Sequence, residues 1–218
     1  MKNLALLFTL TLTILPSVRA DWTLVQKTVT DGKADEMVIK VKGDKTRADI
    51  GKQMSMISDA ATGEIVMFMH EQKMMMKMNG DSMKGIMALA GNLLGKGESA
   101  AKPAATGKLE KVGEHETEIF TWSGKIGSGK FWVAKDFEHF AELNAIQDKL
   151  MKAMGNPAAA MVPPNSDFPG MVVKSEMSVM GKTATSELVS AKQDPIDSAV
   201  FTAPEGYQEM KMPSLPGQ

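Results

Sequence analysis

The chain has 218 residues and a formal net charge of −1, with no cysteine and twenty methionines. That balance excludes the basic face a nucleic-acid binder needs. The missing cysteine excludes disulfides, covalent haem attachment and a lipid-modified N-terminal cysteine. Residues 1–20 (MKNLALLFTLTLTILPSVRA) carry a positive Lys2, an apolar run from Leu4 to Leu15, and small residues at Val18 and Ala20. This is the pattern of an export signal, so cleavage after Ala20 and a periplasmic location are expected. Pro16 and Arg19 end the run short of the roughly 20 apolar residues of a membrane span. Residues 21–218 are then read as one domain.

Residues 21–30 (DWTLVQKTVT) alternate and are rich in β-branched side chains, a strand pattern closed by the Asp31-Gly32 turn. Residues 36–42 place Met37, Ile39 and Val41 on one side. Further strands are expected over 45–50, 53–58, 64–70 and 72–78, joined by Gly43-Asp44, Gly51-Lys52, Thr62-Gly63 and Glu71-Gln72. Connections this short predict an antiparallel meander, because parallel pairs need long crossovers.

The period then changes. Met83, Ile86, Met87, Ala90, Leu93 and Leu94 fall on a helical stripe, so a helix is expected over 82–94, capped by Asp81 or Ser82 and ended by Gly95. Residues 95–108 (GKGESAAKPAATGK) have little to bury and read as a flexible insert. Strands resume over 108–112, 116–123 and 130–134. A second helix is expected over 137–154, where Phe137, Phe140, Leu143, Ile146 and Leu150 lie on a wide apolar face. A proline-rich loop follows, then a hairpin of 170–180 and 182–193 about Gly181. The tail packs Ile196, Val200 and Phe201 and then frays. The fold class expected is α+β: a curved antiparallel sheet, an incomplete barrel, wrapping two helices.

Ten of the twenty methionines fall within 53–87. Met54/Met56, Met67/Met69 and Met74/Met76/Met78 are spaced by two, so each set occupies one face of its strand. With Met83 and Met87 on the first helix, and Phe137 and Phe140 on the second, these residues are the expected lining of a hydrophobic site. Methionine repacks easily and suits surfaces that accept variable apolar partners, whereas a purely structural core favours Leu, Ile and Val. The expected ligand is therefore a lipid or acyl chain. Two alternatives stand beside it. Thioether sulfur is a soft ligand for Cu(I), for which Met54, Met56, Met67, Met69, Met74, Met76 and His70 could converge. Otherwise the methionine face is plain core, in a structural or interaction module without a ligand.

Enzyme chemistry finds no support in the residues. Residues 124–130 (GKIGSGK) match the spacing of a phosphate-binding loop, but Phe131 stands where a magnesium-binding hydroxyl belongs, and a strand follows instead of a helix. There is no GxSxG elbow, and His70, His115 and His139 sit in unrelated settings. No catalytic residue, cofactor or resident metal is expected.

The segments FMHEQKMMMKM (68–78), FWVAKD (131–136), PGMVVKSEM (169–177) and TSELVSAKQDPIDSAVFTAPEGYQEM (185–210) resemble the exported bacterial family DUF4412, a domain of unknown function. More distantly, the layout is similar to the LolA/LolB-type periplasmic lipoprotein carriers. That resemblance implies a half-barrel whose helices lie over a concave, acyl-binding face, a monomer, and transient membrane contact. It also implies a lid contact for Arg47, the one arginine after Ala20. The flanking residues differ from the carriers, and methionine replaces their aromatic lining.

Overall fold

The computed structural model describes residues 21–79, 101–153 and 162–210. The export signal, the helix expected over 82–94 with Met83 and Met87, and the end of the chain lie outside the described residues.

Six strands form the first half: β1 (Trp22–Thr30), β2 (Lys33–Lys42), β3 (Lys45–Ile50), β4 (Met54–Asp59), β5 (Glu64–Met69) and β6 (Met74–Met78). Each pairs antiparallel with the next. The β1–β2 turn puts both Asp31 (φ 49°) and Gly32 (φ 81°) in the left-handed region. That is the two-residue hairpin turn whose twist matches the strands it joins.

The second half holds β7 (Ala104–Val112), β8 (His115–Gly124), β9 (Gly127–Ala134), helix α1 (Phe140–Ala153), β10 (Met171–Val179) and β11 (Lys182–Gln193). It too is an antiparallel meander. β1 pairs with β11 over its whole length, Trp22 opposite Gln193 and Thr30 opposite Ala184. This pairing welds the two meanders into one sheet in the order β12-β6-β5-β4-β3-β2-β1-β11-β10-β9-β8-β7. The sheet is curved, and its edges do not meet, so the barrel stays open. β12 (Gln208–Glu209) runs parallel to β6 and caps that edge, through Gln208 N–H to the Lys73 carbonyl and Met210 N–H to the Met75 carbonyl.

Three sequence expectations need correction. The helix expected over 82–94 lies outside the described residues, which are dominated by strands and hold one α-helix. That helix starts at Phe140 and not at Phe137, because His139 adopts φ 58°, which breaks the right-handed turn. β7 begins at Ala104, inside the segment read as a flexible insert; β8 supplies its hydrogen-bonding partner, and Thr106 donates to the Ile119 carbonyl at 2.8 Å. The tail does not fray after Phe201, because β12 is pinned to β6.

The glycines of residues 124–130 have a packing role. Gly124 and Gly127 close the β8–β9 hairpin as a pair. A Cβ on Gly127 would collide with the Ser178 carbonyl, so only glycine lets β9 approach β10 there.

Three apolar clusters hold the sheet. The largest joins Leu24, Ile39, Ala48, Met56, Ile65 and Met78 to Leu143 and Leu150 of α1. An aromatic cluster packs Phe120, Trp122, Phe131 and Phe168. On the other face of β4 and β5, Ile57 and Phe68 meet Ile196 and Phe201 of the C-terminal segment.

Candidate ligand-binding cavity

The methionines of β4, β5 and β6 form an array three strands wide. Met54, Met69 and Met74 stand in one register row, and Met56, Met67 and Met76 in the next. Ser58, Ile65 and Met78 make the third. Seven of these nine positions are methionine. Directly opposed residues have Cβ atoms about 5 Å apart, so the thioethers pack as one sheet of side chains. Met56 and Met78 are buried in the main cluster, with Met67 and Met76 packed against it. The expected facial alternation is therefore realised in space.

The first row does not stop at β4. It continues through Ile50 and Met37 to Gln26 and then Leu188 on β11. The last three line a cavity of about 710 Å³. This volume lies within the range of small-molecule sites. Its floor is β1, β2, β10 and β11; its roof is Leu150 and Met151 of α1 with the loop from Val162 to Ser166. Met54, Met56, Met67, Met69, Met74, Met76 and Met78 are not among the residues lining it, and neither are Phe137 and Phe140. The methionine array is thus the lateral extension of the cavity floor, and the void itself lies over the β1–β11 seam. Phe137 packs on the main cluster and stacks against His115 with ring centroids 5.0 Å apart, while Phe140 packs on the same cluster from the first turn of α1.

The roof is fixed by two side chains one turn apart. Asn144 donates through Nδ2 to the Asn165 carbonyl at 3.0 Å and the Gly170 carbonyl at 2.9 Å. Asp148 accepts the N–H of Asn165 at 2.6 Å and of Ser166 at 3.0 Å. These bonds dock the loop on the helix and satisfy backbone groups that the loop would otherwise leave unpaired. The buried positions of α1 over residues 140–151 are Leu143, Asn144, Gln147 and Leu150. Two of the four are amides. Gln147 lines the cavity, and its Nε2 has no hydrogen-bond partner.

The sequence did not single out Gln147 or Asp148 as site residues. A signal was present, since polar Asn144 and Gln147 interrupt the apolar stripe between Leu143 and Leu150, but it has meaning only once the helix face is known.

Arg47 lies on the opposite face from the methionines, because it pairs with Ile57 and not with Met56. It donates to Asp49 at 2.8 Å and, through Nη1, to the Val200 carbonyl at 2.9 Å. Among the described residues it therefore holds the C-terminal segment and not a helical lid. His70 shares that face. Its Nε2 lies 2.7 Å from Ser55 Oγ, and its Nδ1 bonds the Tyr207 hydroxyl. So His70 cannot converge with the methionine rows, which removes the nitrogen ligand from the copper alternative.

The three histidines keep separate surroundings, His115 against Phe137 and His139 against Trp22, but His70 belongs to a polar network. Asp49, Ser55 and His70 are linked, Ser55 donating to Asp49 at 2.5 Å. The connectivity is not that of an acyl-transfer triad, in which the carboxylate orients the imidazole and the serine is open to substrate. Here the carboxylate binds the serine, the imidazole binds a tyrosine, and Ser55 is 2% exposed. No three His, Cys, Asp or Glu side chains among the described residues cluster to hold a metal ion.

The match to a family model decides the affiliation: the DUF4412 model, a domain of unknown function, covers residues 23–207. The chain belongs to this family. No curated protein sequence matches it. Among solved structures, an uncharacterised conserved protein from Thermus thermophilus shares the fold, at a TM-score of 0.51 and 8% identity, over 88% of this chain and 90% of that one. A LolA superfamily protein from Nitrosomonas europaea matches at a TM-score of 0.33 and 10% identity, over 86% of this chain and 91% of that one. PNGF-II matches at 0.42 and 14% identity over 90% of this chain, which spans only 31% of the PNGF-II chain. At 8% identity the likeness to the Thermus thermophilus protein concerns the fold alone.

Proposed function

We propose that this protein is exported and, without catalysing a reaction, binds or carries a hydrophobic molecule, a lipid or acyl chain, between α1 and the concave face of its sheet. The observation that carries this reading is the cavity of about 710 Å³ over the β1–β11 seam, walled by Met37, Ile39, Leu150, Val173 and Leu188. Each methylene moved from water onto such a wall contributes roughly 0.8 kcal/mol. The methionine rows extend the same face. Their unbranched side chains repack at small cost, so chains of different length can be accommodated. The signal-like residues 1–20 support an extracytoplasmic site of action, where an apolar cargo needs a protein to cross water.

The test is titration of the purified chain with 1-N-phenylnaphthylamine, a fluorescent apolar probe, alongside native mass spectrometry of protein isolated from its own host. Saturable probe binding, abolished in Leu188→Trp while the circular dichroism spectrum is unchanged, supports the reading. A chain that purifies bare and binds no probe sinks it. Copper retained through native mass spectrometry, and lost when Met56, Met67 and Met76 become Leu, favours the soft-metal alternative that the seven-methionine array suggests.

A further inference from the structure

Among the described residues, Gln147 is a buried polar group of the cavity that the fold leaves unused. It is 6% exposed, it lines the cavity, and its Nε2 has no partner. Its neighbour Asn144 is explained by the loop it docks. Nothing among the described residues explains Gln147. A buried N–H without an acceptor is a net cost to folding, and leucine at this position would extend the apolar stripe of Leu143 and Leu150.

We propose that the Gln147 amide is the head-group contact of the cavity, donating through Nε2 to the carbonyl oxygen of a neutral acyl ester or amide whose chain lies on the apolar floor. The inference rests on the cavity being a lipid site and names the chemical class it takes. Charge decides between an ester and a free fatty acid. Asp148, one residue on, also lines the cavity and presents a carboxylate. Lys174 is the one cationic residue of the lining among the described residues. Its ammonium sits 4.4 Å from the Trp132 ring centroid and 3.5 Å from Glu176, so it is already engaged. Among the described residues, a fatty-acid anion would meet a like charge and no available cation, which a low-dielectric site does not tolerate. An ester carbonyl needs one donor and no counter-charge. Gln147 supplies that donor.

The experiment is displacement of 1-N-phenylnaphthylamine from the full chain at pH 7.5 by 1-monopalmitoylglycerol and by palmitate, in the wild type, Gln147→Leu and Gln147→Met. The wild type is expected to prefer the ester about tenfold. Both variants should lose about fivefold in ester affinity, the equivalent of one net hydrogen bond, while the affinity for the apolar probe, which needs no such bond, does not fall. An ester-to-palmitate ratio that is the same in wild type and variants overturns the inference and leaves the cavity reading standing. So does a wild type that prefers palmitate. Failure of the wild type to bind the apolar probe removes the cavity reading and this inference with it.

Discussion

A single carboxylate oxygen of Asp21 accepts the backbone N–H of Ile196 at 2.9 Å, joining the residue before β1 to the segment after β11. Lys42 completes the clasp, donating to the same oxygen at 2.9 Å and to the Ile196 carbonyl at 2.5 Å. The Ile196 N–H, and after it the Lys42 side chain, hold the Asp21 carboxyl below its ordinary value. A folded pKa below the unfolded one stabilises the protein above the unfolded value, about 4, and that contribution is lost as pH falls through the folded value. Asp21→Asn should therefore lower the thermal midpoint at pH 7. The difference from wild type should shrink steadily below pH 4. Thermal scans from pH 2 to pH 7 check this, and a gap that does not vary with pH contradicts the assignment.

Arg47→Leu should release the C-terminal segment without touching the cavity. The change leaves Asp49 half-buried without its cation and the Val200 carbonyl without its donor. A charged hydrogen bond of this kind contributes roughly 1.5–3 kcal/mol. Hydrogen exchange over residues 196–210 should quicken, whereas probe affinity stays within twofold of wild type. Loss of probe binding with an unchanged tail would reverse the assignment of faces.

Met56→Ala tests how tightly the methionine array is packed. Met56 is 2% exposed and sits between Ala48 and Met67, so truncation should cost about 2–5 kcal/mol in urea unfolding. Met56→Leu conserves volume and should cost less than about 1.5 kcal/mol. Near-equal, negligible losses for both would mean that the array is already loose.

Gly127→Ala should destabilise by about 1–3 kcal/mol or more, because the added methyl meets backbone and not a side-chain end. The glycine at 32 offers the contrast. It has open space around it and φ 81°, so Gly32→Ala suffers conformational strain alone. Chemical denaturation of the two variants separates close approach from turn geometry.

Gln147→Leu should stabilise the ligand-free protein by roughly 1 kcal/mol, the cost of a buried donor left unmade. A variant more stable and less able to bind esters would have the profile of a functional residue kept at the expense of stability. If urea midpoints fall instead, Gln147 has a structural partner.

Much of this fold was legible in local pattern. The alternation of Met37, Ile39 and Val41, and of Met74, Met76 and Met78, reports a strand wet on one side, because successive side chains point to opposite faces whatever the partner is. The Asp31-Gly32 and Gly181 turns announce hairpins for an equally local reason. The start of α1 was not legible in this way. Phe137 continues the apolar periodicity, and only the left-handed backbone at His139 excludes it from the helix. The first half of β7, residues 104–107, was missed because it is exposed throughout, and its partner lies on β8.

By itself the sequence determined the strands, their facial pattern and the clustering of methionine on one face, since these depend on neighbours within a few residues. The tertiary structure alone decided that β1 pairs with β11, and therefore where the cavity lies. That pairing joins residues about 160 apart in the chain, and no local period encodes which strand will be the neighbour. The same closure sets the methionines beside the cavity and not around it, puts Arg47 and His70 on the far face with the C-terminal segment, and leaves Gln147 facing an apolar floor without a partner.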